Sequence, residues 1–274
     1  MDDLADRFST SGAGVRPVFF AQDGEMFVPQ EAVRSPWNTR ATVGIAVAGL
    51  LMHVAEQVEA PGPMLPAHVT IDILRPVPFA PTLTQATVTR EGRKLQMVEA
   101  HLMAGGEPVA RARVLRVREI ASPRIDAPMA YPSPEESPTR AFLPSDLLLS
   151  ELIETRQVAG EPDQIGPGTV WTRLGADLVS GIPTSPLVHA AMLSDFGNGV
   201  AQVVDPRQWS FANVDISLHM VRRPVGEWLL VDADAMLQGL GVALSNMTLA
   251  DRSGPFGRAH QTLFIDPRAP RPKA

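Results

Sequence analysis

Residues Thr42 to Val58 read TVGIAVAGLLMHVAEQV. The stretch lacks proline, is rich in Ala, Leu and Gly, and is apolar on most faces at its start, so it predicts a helix wrapped by protein on nearly all sides. Such a helix needs a wall to lie against. After the breaker APGPMLP come four strand-like pieces, HVTIDIL, TLTQATVTRE, KLQMVEAHLM and EPVARARVLRVRE. They are separated by RPVPFAP, Gly92-Arg93 and Gly105-Gly106, turn signals for antiparallel neighbours.

The same order recurs downstream. Ser185-Pro186 reads as an N-cap with proline at the first helical position, opening PLVHAAMLSDFGNG. Strand-like pieces NVDISLHMV, EWLLVDADAM, GVALSNMTLA and FGRAHQTLFI follow. Three anchors fix the register: Arg75-Pro76 against Arg223-Pro224, Gly92 against Gly241, and Arg111-Ala112 against Arg258-Ala259, at offsets of 148, 149 and 147 residues. Offsets this even predict a duplicated unit. Between the copies lies a segment dense in proline, serine and charge, EIASPRIDAPMAYPSPEESPTRAFLP, which reads as a surface linker. The predicted division is an N-terminal unit over 1–119, a linker over 120–147 and a C-terminal unit over 148–274. PVFFAQDGEMFVP in the first unit, and LLLSELIETRQV and GTVWTRLGADLV in the second, supply the opening strands.

Composition narrows the function. A net charge of -6, with no basic run interleaved with aromatics, argues against nucleic-acid binding. With no cysteine the chain carries neither disulfides nor a thiolate zinc site, and the opening MDDLADRF lacks the basic and apolar pattern of a signal, which predicts a cytoplasmic location. The apolar run Val43 to Met52 falls short of the roughly 18 residues that cross a bilayer. Neither HExxH nor GxSxG occurs, and GLGVAL lacks the third glycine of a dinucleotide fingerprint. His189, His219 and His260 show no metal-ligand spacing and read as structural or surface residues; no metal and no cofactor are expected.

The ordered strings EAVRSPWN, TVGIAVAGLL, VTIDILRPVPFAP, GRKLQMVEAHL and PVARARVLRVR in the first half mark a resemblance. So do SPLVHAAMLSDFGNG, WSFANVDISLHMVRRPVGEWLLVDA and GRAHQTLFIDPR in the second. Together they resemble the double-hotdog thioesterases of the acyl-CoA thioesterase II type. The resemblance implies an α+β fold of two antiparallel sheets, each curled around a long buried helix. It also implies hydrolysis of fatty acyl-CoA to free acid and CoA, and assembly into a homodimer or higher homo-oligomer. The family's catalytic aspartate maps onto Asp215 in NVDISLH and its glutamine onto Gln261 in RAHQTL. Counted without gaps, its threonine falls on Met236, which has no hydroxyl; a slip of one or two residues presents Asp234 or Gln238 instead. Gly44 maps to the helix start that a thioester carbonyl approaches.

Chemistry supports those residue types. A positioned carboxylate acts as general base on water, an amide fixes that water or the thioester oxygen, and free N–H groups of a helix start stabilise an oxyanion. Asp72 in VTIDILRP is not the twin of Asp215, because the repeat register sets Ala67 there, so the first half is read as lacking a site. Plainer readings stand beside these: a strand-end or capping role for Asp215, an outward strand position for Gln261, close helix packing for Gly44. The functional alternatives are a non-catalytic acyl-CoA or lipid-binding protein, favoured by Met236, and a hydratase using His219 with Asp215. The last pair would stand about 13 Å apart along one strand, too far for one shared site.

Overall fold

The computed structural model describes residues 16–125, 129–140, 147–162 and 164–268. The opening MDDLADRF and parts of the linker lie outside these residues. In chain order the elements are β1 (Val18–Asp23), β2 (Met26–Pro29), α1 (Gly44–Glu56), β3 (Met64–Ile73), β4 (Thr82–Glu91), β5 (Leu95–Ala104) and β6 (Glu107–Arg118). The second half contributes β7 (Ile153–Ala159), β8 (Gly168–Leu174), β9 (Asp177–Val179), α2 (Pro186–Leu193) and α3 (Gly197–Val200). It ends with β10 (Trp209–Met220), β11 (Trp228–Leu237), β12 (Val242–Asp251) and β13 (Gly254–Pro267).

Instead of two separate sheets, the strands form one 13-stranded sheet in the order β7-β8-β11-β12-β13-β10-β3-β6-β5-β4-β2-β1-β9. The halves fuse because β3 and β10 each have one neighbour within their own repeat and an open edge that pairs with the other. Their antiparallel register centres on Ser217 opposite Thr70 and runs from Asp215 opposite Asp72 to His219 opposite His68. Across this seam the imidazoles of His68 and His219 stack at 4.1 Å. Order on either side is reversed, as an approximate two-fold axis requires. That axis makes His68, rather than Ala67, the counterpart of Asp215.

The two helices differ. In α1 every residue from Ile45 to His53 is buried, and Leu50, Leu51 and Met52 have no exposed surface; each such side chain contributes about 2 kcal/mol through burial. The second is not the long helix expected. Ser185 caps α2 by accepting from the Val188 N–H at 3.1 Å, but the helix stops at Leu193. There the Ser194 hydroxyl turns back to the Ala191 carbonyl, and two glycines follow within five residues, a poor sequence for continuing a helix. Gly49 allows α1 and α2 to touch, since a Cβ there would stand 2.7 Å from Met192 Cγ.

The segment read as a surface linker is partly a strap. Met129 and Tyr131 pack on Trp171, Trp228, Leu230 and Ala250, and Trp171 Nε1 donates to the Pro132 carbonyl at 2.9 Å. Tyr131 donates to Asp232 at 2.6 Å. Proline and serine content hid two apolar anchors.

One ion pair joins the turns at the sheet's end. Asp251, fully buried, accepts from Arg222 Nη1 and Nη2 at 2.5 and 2.7 Å and from the N–H groups of Val225 and Ser253. Losing one partner of a buried pair costs about 3–5 kcal/mol, so Asp251→Ala is expected to lower unfolding free energy in urea by about that much. A loss below about 1 kcal/mol would show that the turns hold without it.

Candidate functional site

Alternation along β13 sets Ala259, Gln261, Leu263 and Ile265 inward, all buried. Gln261 has no exposed surface; its Oε1 accepts from the Asn198 N–H of α3 at 3.0 Å, which leaves Nε2 buried without a partner. Directly opposite on β12 stands Ser245, whose hydroxyl is also buried and unpartnered.

Asp215 is placed differently. Ile216 pairs with Gln261 and Asp215 with Thr262, so Asp215 and Gln261 lie on opposite faces. The carboxylate of Asp215 accepts the Thr262 N–H at 3.1 Å and borders an outer groove of about 320 Å³ with Asp72, Glu99, Arg111 and Arg113. The structure therefore does not bring Asp215 to Gln261. The cause is a β-bulge: Asn213 pairs with Leu263 and Asp215 with Thr262, leaving Val214 as an extra residue. The bulge keeps Asn213 on the inner face. Met236 is on the outer face, 54% exposed, and its neighbour across β12 is Leu244; the hydroxyl beside Gln261 is that of Ser245.

The inward carboxylate comes from the break after α2. Asp195 Oδ1 accepts from Asn213 Nδ2, and the other amide atom, Asn213 Oδ1, is buried without a partner. Asp195 Oδ2 lies against Gly44, the first residue of α1: a Cβ on Gly44 would be 2.5 Å from it. The N-cap Val43 offers no side-chain acceptor, and the first bonds of α1 run from the Ala46 and Val47 N–H groups to the Val43 carbonyl. Gly44 and Ile45 thus present N–H groups with no partner among the described residues.

Asn213 Oδ1, Ser245 Oγ and Gln261 Nε2 are the buried side-chain atoms lacking a partner among the described residues, and the sheet register gathers all of them here. Buried polar atoms are normally satisfied, so such a group marks a place built for something else. Burial pushes the Asp195 carboxyl up to about 7, against the opposing hydrogen bond from Asn213. The positive end of the α1 dipole also favours the anion. Asp195 keeps part of its surface accessible.

Among the described residues the two-fold axis brings no second cluster. Val214 and Ala67 are the matching bulge residues, and the first-half counterparts of Asn213, Gln261 and Ser245 are Pro66, Val114 and Val98. All are apolar. Arg116 fills the adjoining space, donating to the Val58 and Ala55 carbonyls at the end of α1 and to Gln96. The histidines are scattered: His189 is buried on Thr172, with burial pulling its pKa down to about 3, and His219 and His260 lie on the outer face.

These features define a hot dog architecture with one polar site at a helix start. Similar solved structures share it. A hot dog fold protein from Alicyclobacillus acidocaldarius is 19% identical, covering 92% of this chain and 96% of its own, with a TM-score of 0.70. An acyl-CoA thioesterase II from Mycobacterium marinum is 20% identical over 97% and 99%, at 0.67. A tesB protein from Mycobacterium avium is 17% identical over 97% and 98%, at 0.64. No curated protein matches. Residues 33–117 match the acyl-CoA thioesterase N-terminal domain and residues 128–265 its C-terminal domain, and the chain belongs to the acyl-CoA thioesterase family.

A carboxyl that the folded state holds protonated at higher pH than the unfolded chain does loses stability as pH rises from the unfolded value toward about 7. Asp195→Asn removes that cost. The melting temperature of the variant is expected to exceed that of the wild type by more at about pH 8 than at about pH 5. Equal shifts at both would show that Asp195 titrates normally.

Proposed function

We propose that this chain hydrolyses the thioester of a fatty acyl-CoA to the free acid and CoA by activating water at Asp195. The observation that carries the reading is the convergence of unpartnered buried atoms on Asp195 and the bare start of α1. Membership of the thioesterase family supports the reaction class.

In this reading the carbonyl oxygen lies at the Gly44 and Ile45 N–H groups, where donors and dipole favour the negative charge that develops. Gly44 permits the approach because it has no side chain. Asp195, ionised near neutral pH, accepts a proton from water as the oxygen attacks the carbonyl carbon. Asn213 orients the carboxylate through Nδ2 and accepts from the same water through Oδ1. Gln261 Nε2, fixed by the bond from Asn198, donates to the water or the oxyanion, and Ser245 completes the shell. As the tetrahedral intermediate collapses, the carbon–sulfur bond breaks and the proton on Asp195 passes to the leaving thiolate. No covalent acyl-enzyme is needed, and the outer-face Asp215 acts on the bulge that sets Asn213 inward.

Thiol release from acyl-CoAs of increasing chain length tests this. Wild type is expected to turn over at least one of them, Asp195→Asn to lose about 10²- to 10⁴-fold in kcat, and Asp215→Asn, which keeps the acceptor for Thr262, to stay within about threefold. Loss with Asp215→Asn but not Asp195→Asn would place the base on the other face. No release from wild type, with saturable acyl-CoA binding, would make the protein a binding module.

A further inference from the structure

Two of the tryptophans, Trp37 at 56% and Trp209 at 37%, are exposed, whereas Trp171 and Trp228 are buried. Large aromatic surface left open to water calls for an explanation. Trp37 sits in the loop that runs into Gly44, a loop closed by Ser35 N–H to the Ala41 carbonyl at 2.9 Å and Ala41 N–H to the Asn38 carbonyl at 2.8 Å. Its ring meets Phe211 edge-on, centroids 5.9 Å apart. On β10, Trp209, Phe211 and Asn213 stand opposite Pro267, Ile265 and Leu263, and so share the inner face. A strip of aromatic rings therefore leads from solvent to Asn213, with Trp209 about 13 Å from it at 3.3 Å per residue.

Guanidinium groups flank its outer end. Arg268 Nε donates to the Trp209 carbonyl at 3.1 Å. The Arg207 side chain is 89% exposed and touches Asp205 at 3.3 Å. An acyl chain would seek enclosure, and this strip is open and bordered by cations. A flat heteroaromatic ring carrying phosphates suits it better, because indole faces stack on bases and guanidinium groups take phosphate oxygens in pairs.

We infer that Trp37, Phe211 and Trp209, with Arg207 and Arg268, receive the adenine-nucleotide end of a CoA thioester while its pantetheine arm spans the strip to Asn213. This rests on the proposed function, and its test separates the two. KM is measured for an acyl-CoA and for the same acyl group on N-acetylcysteamine, which has no nucleotide, in wild type, Trp37→Ala and Trp209→Ala. The expected result is a KM for acyl-CoA raised about tenfold in each variant, with the truncated thioester unaffected. An equal rise for both substrates, or none, overturns the subsite. CoA binding measured by calorimetry on wild type and Trp37→Ala gives a readout without hydrolysis. If no thioester is cleaved but Trp37→Ala weakens CoA binding about tenfold, the subsite stands and the hydrolase reading fails. If thioesters are cleaved but CoA binds both proteins equally, the subsite alone fails.

Discussion

The proposed chemistry depends on a carboxylate packed against a helix start that has no side chain. Asp195 and Gly44 come from different repeats, and their approach requires the antiparallel packing of α1 on α2 that Gly49 permits. It also requires the break at Ser194, because an α2 that continued would carry the residue at 195 along its own axis. The carboxyl is lifted toward neutrality by burial, and the helix start stays open because no side chain caps it. A methyl group on Gly44 would push the Asp195 carboxylate aside.

The duplication explains why the described residues hold one such site. Both repeats carry the strand bulge, at Ala67 and Val214, so both inherited the backbone that turns a side chain inward just before it. In the second half that side chain is Asn213, with Gln261 and Ser245 beside it. In the first it is Pro66, with Val114 and Val98, and Arg116 ties the end of α1 to the sheet. One copy therefore holds the polar cluster and the other holds an apolar framework.

Much of the architecture was legible from residues alone. The strand pieces, their turns, the buried α1 and the repeat offsets all follow from alternation, glycine and proline, which act locally. The resemblance also points to Gln261 and Gly44, which lie at the polar cluster. What stayed hidden was non-local. One extra residue in β10 sets Asn213 and Asp215, two apart in sequence, on opposite faces, and no sequence signal fixes where a bulge falls. Asp195 is a carboxylate at the end of an apolar helix, followed by FGNG; that pattern hints at a break but not at burial. The fusion of the sheets through β3 and β10 is equally invisible, since an edge strand and a paired one share the same alternation. The strap is hidden in the sequence because proline, serine and charge outweigh Met129 and Tyr131.

In the proposed reaction one largely buried carboxyl, Asp195, is poised near neutrality and gates turnover. The most direct measurement follows the ¹³Cγ resonances of aspartate through a pH titration alongside the pH dependence of kcat/KM. One resonance, absent in Asp195→Asn, is expected to titrate with a midpoint of about 7, and the rate to rise through that same midpoint. If every aspartate titrates below about 5, or the rate follows a different ionisation, then Asp195 is not the base and the buried cluster serves another purpose.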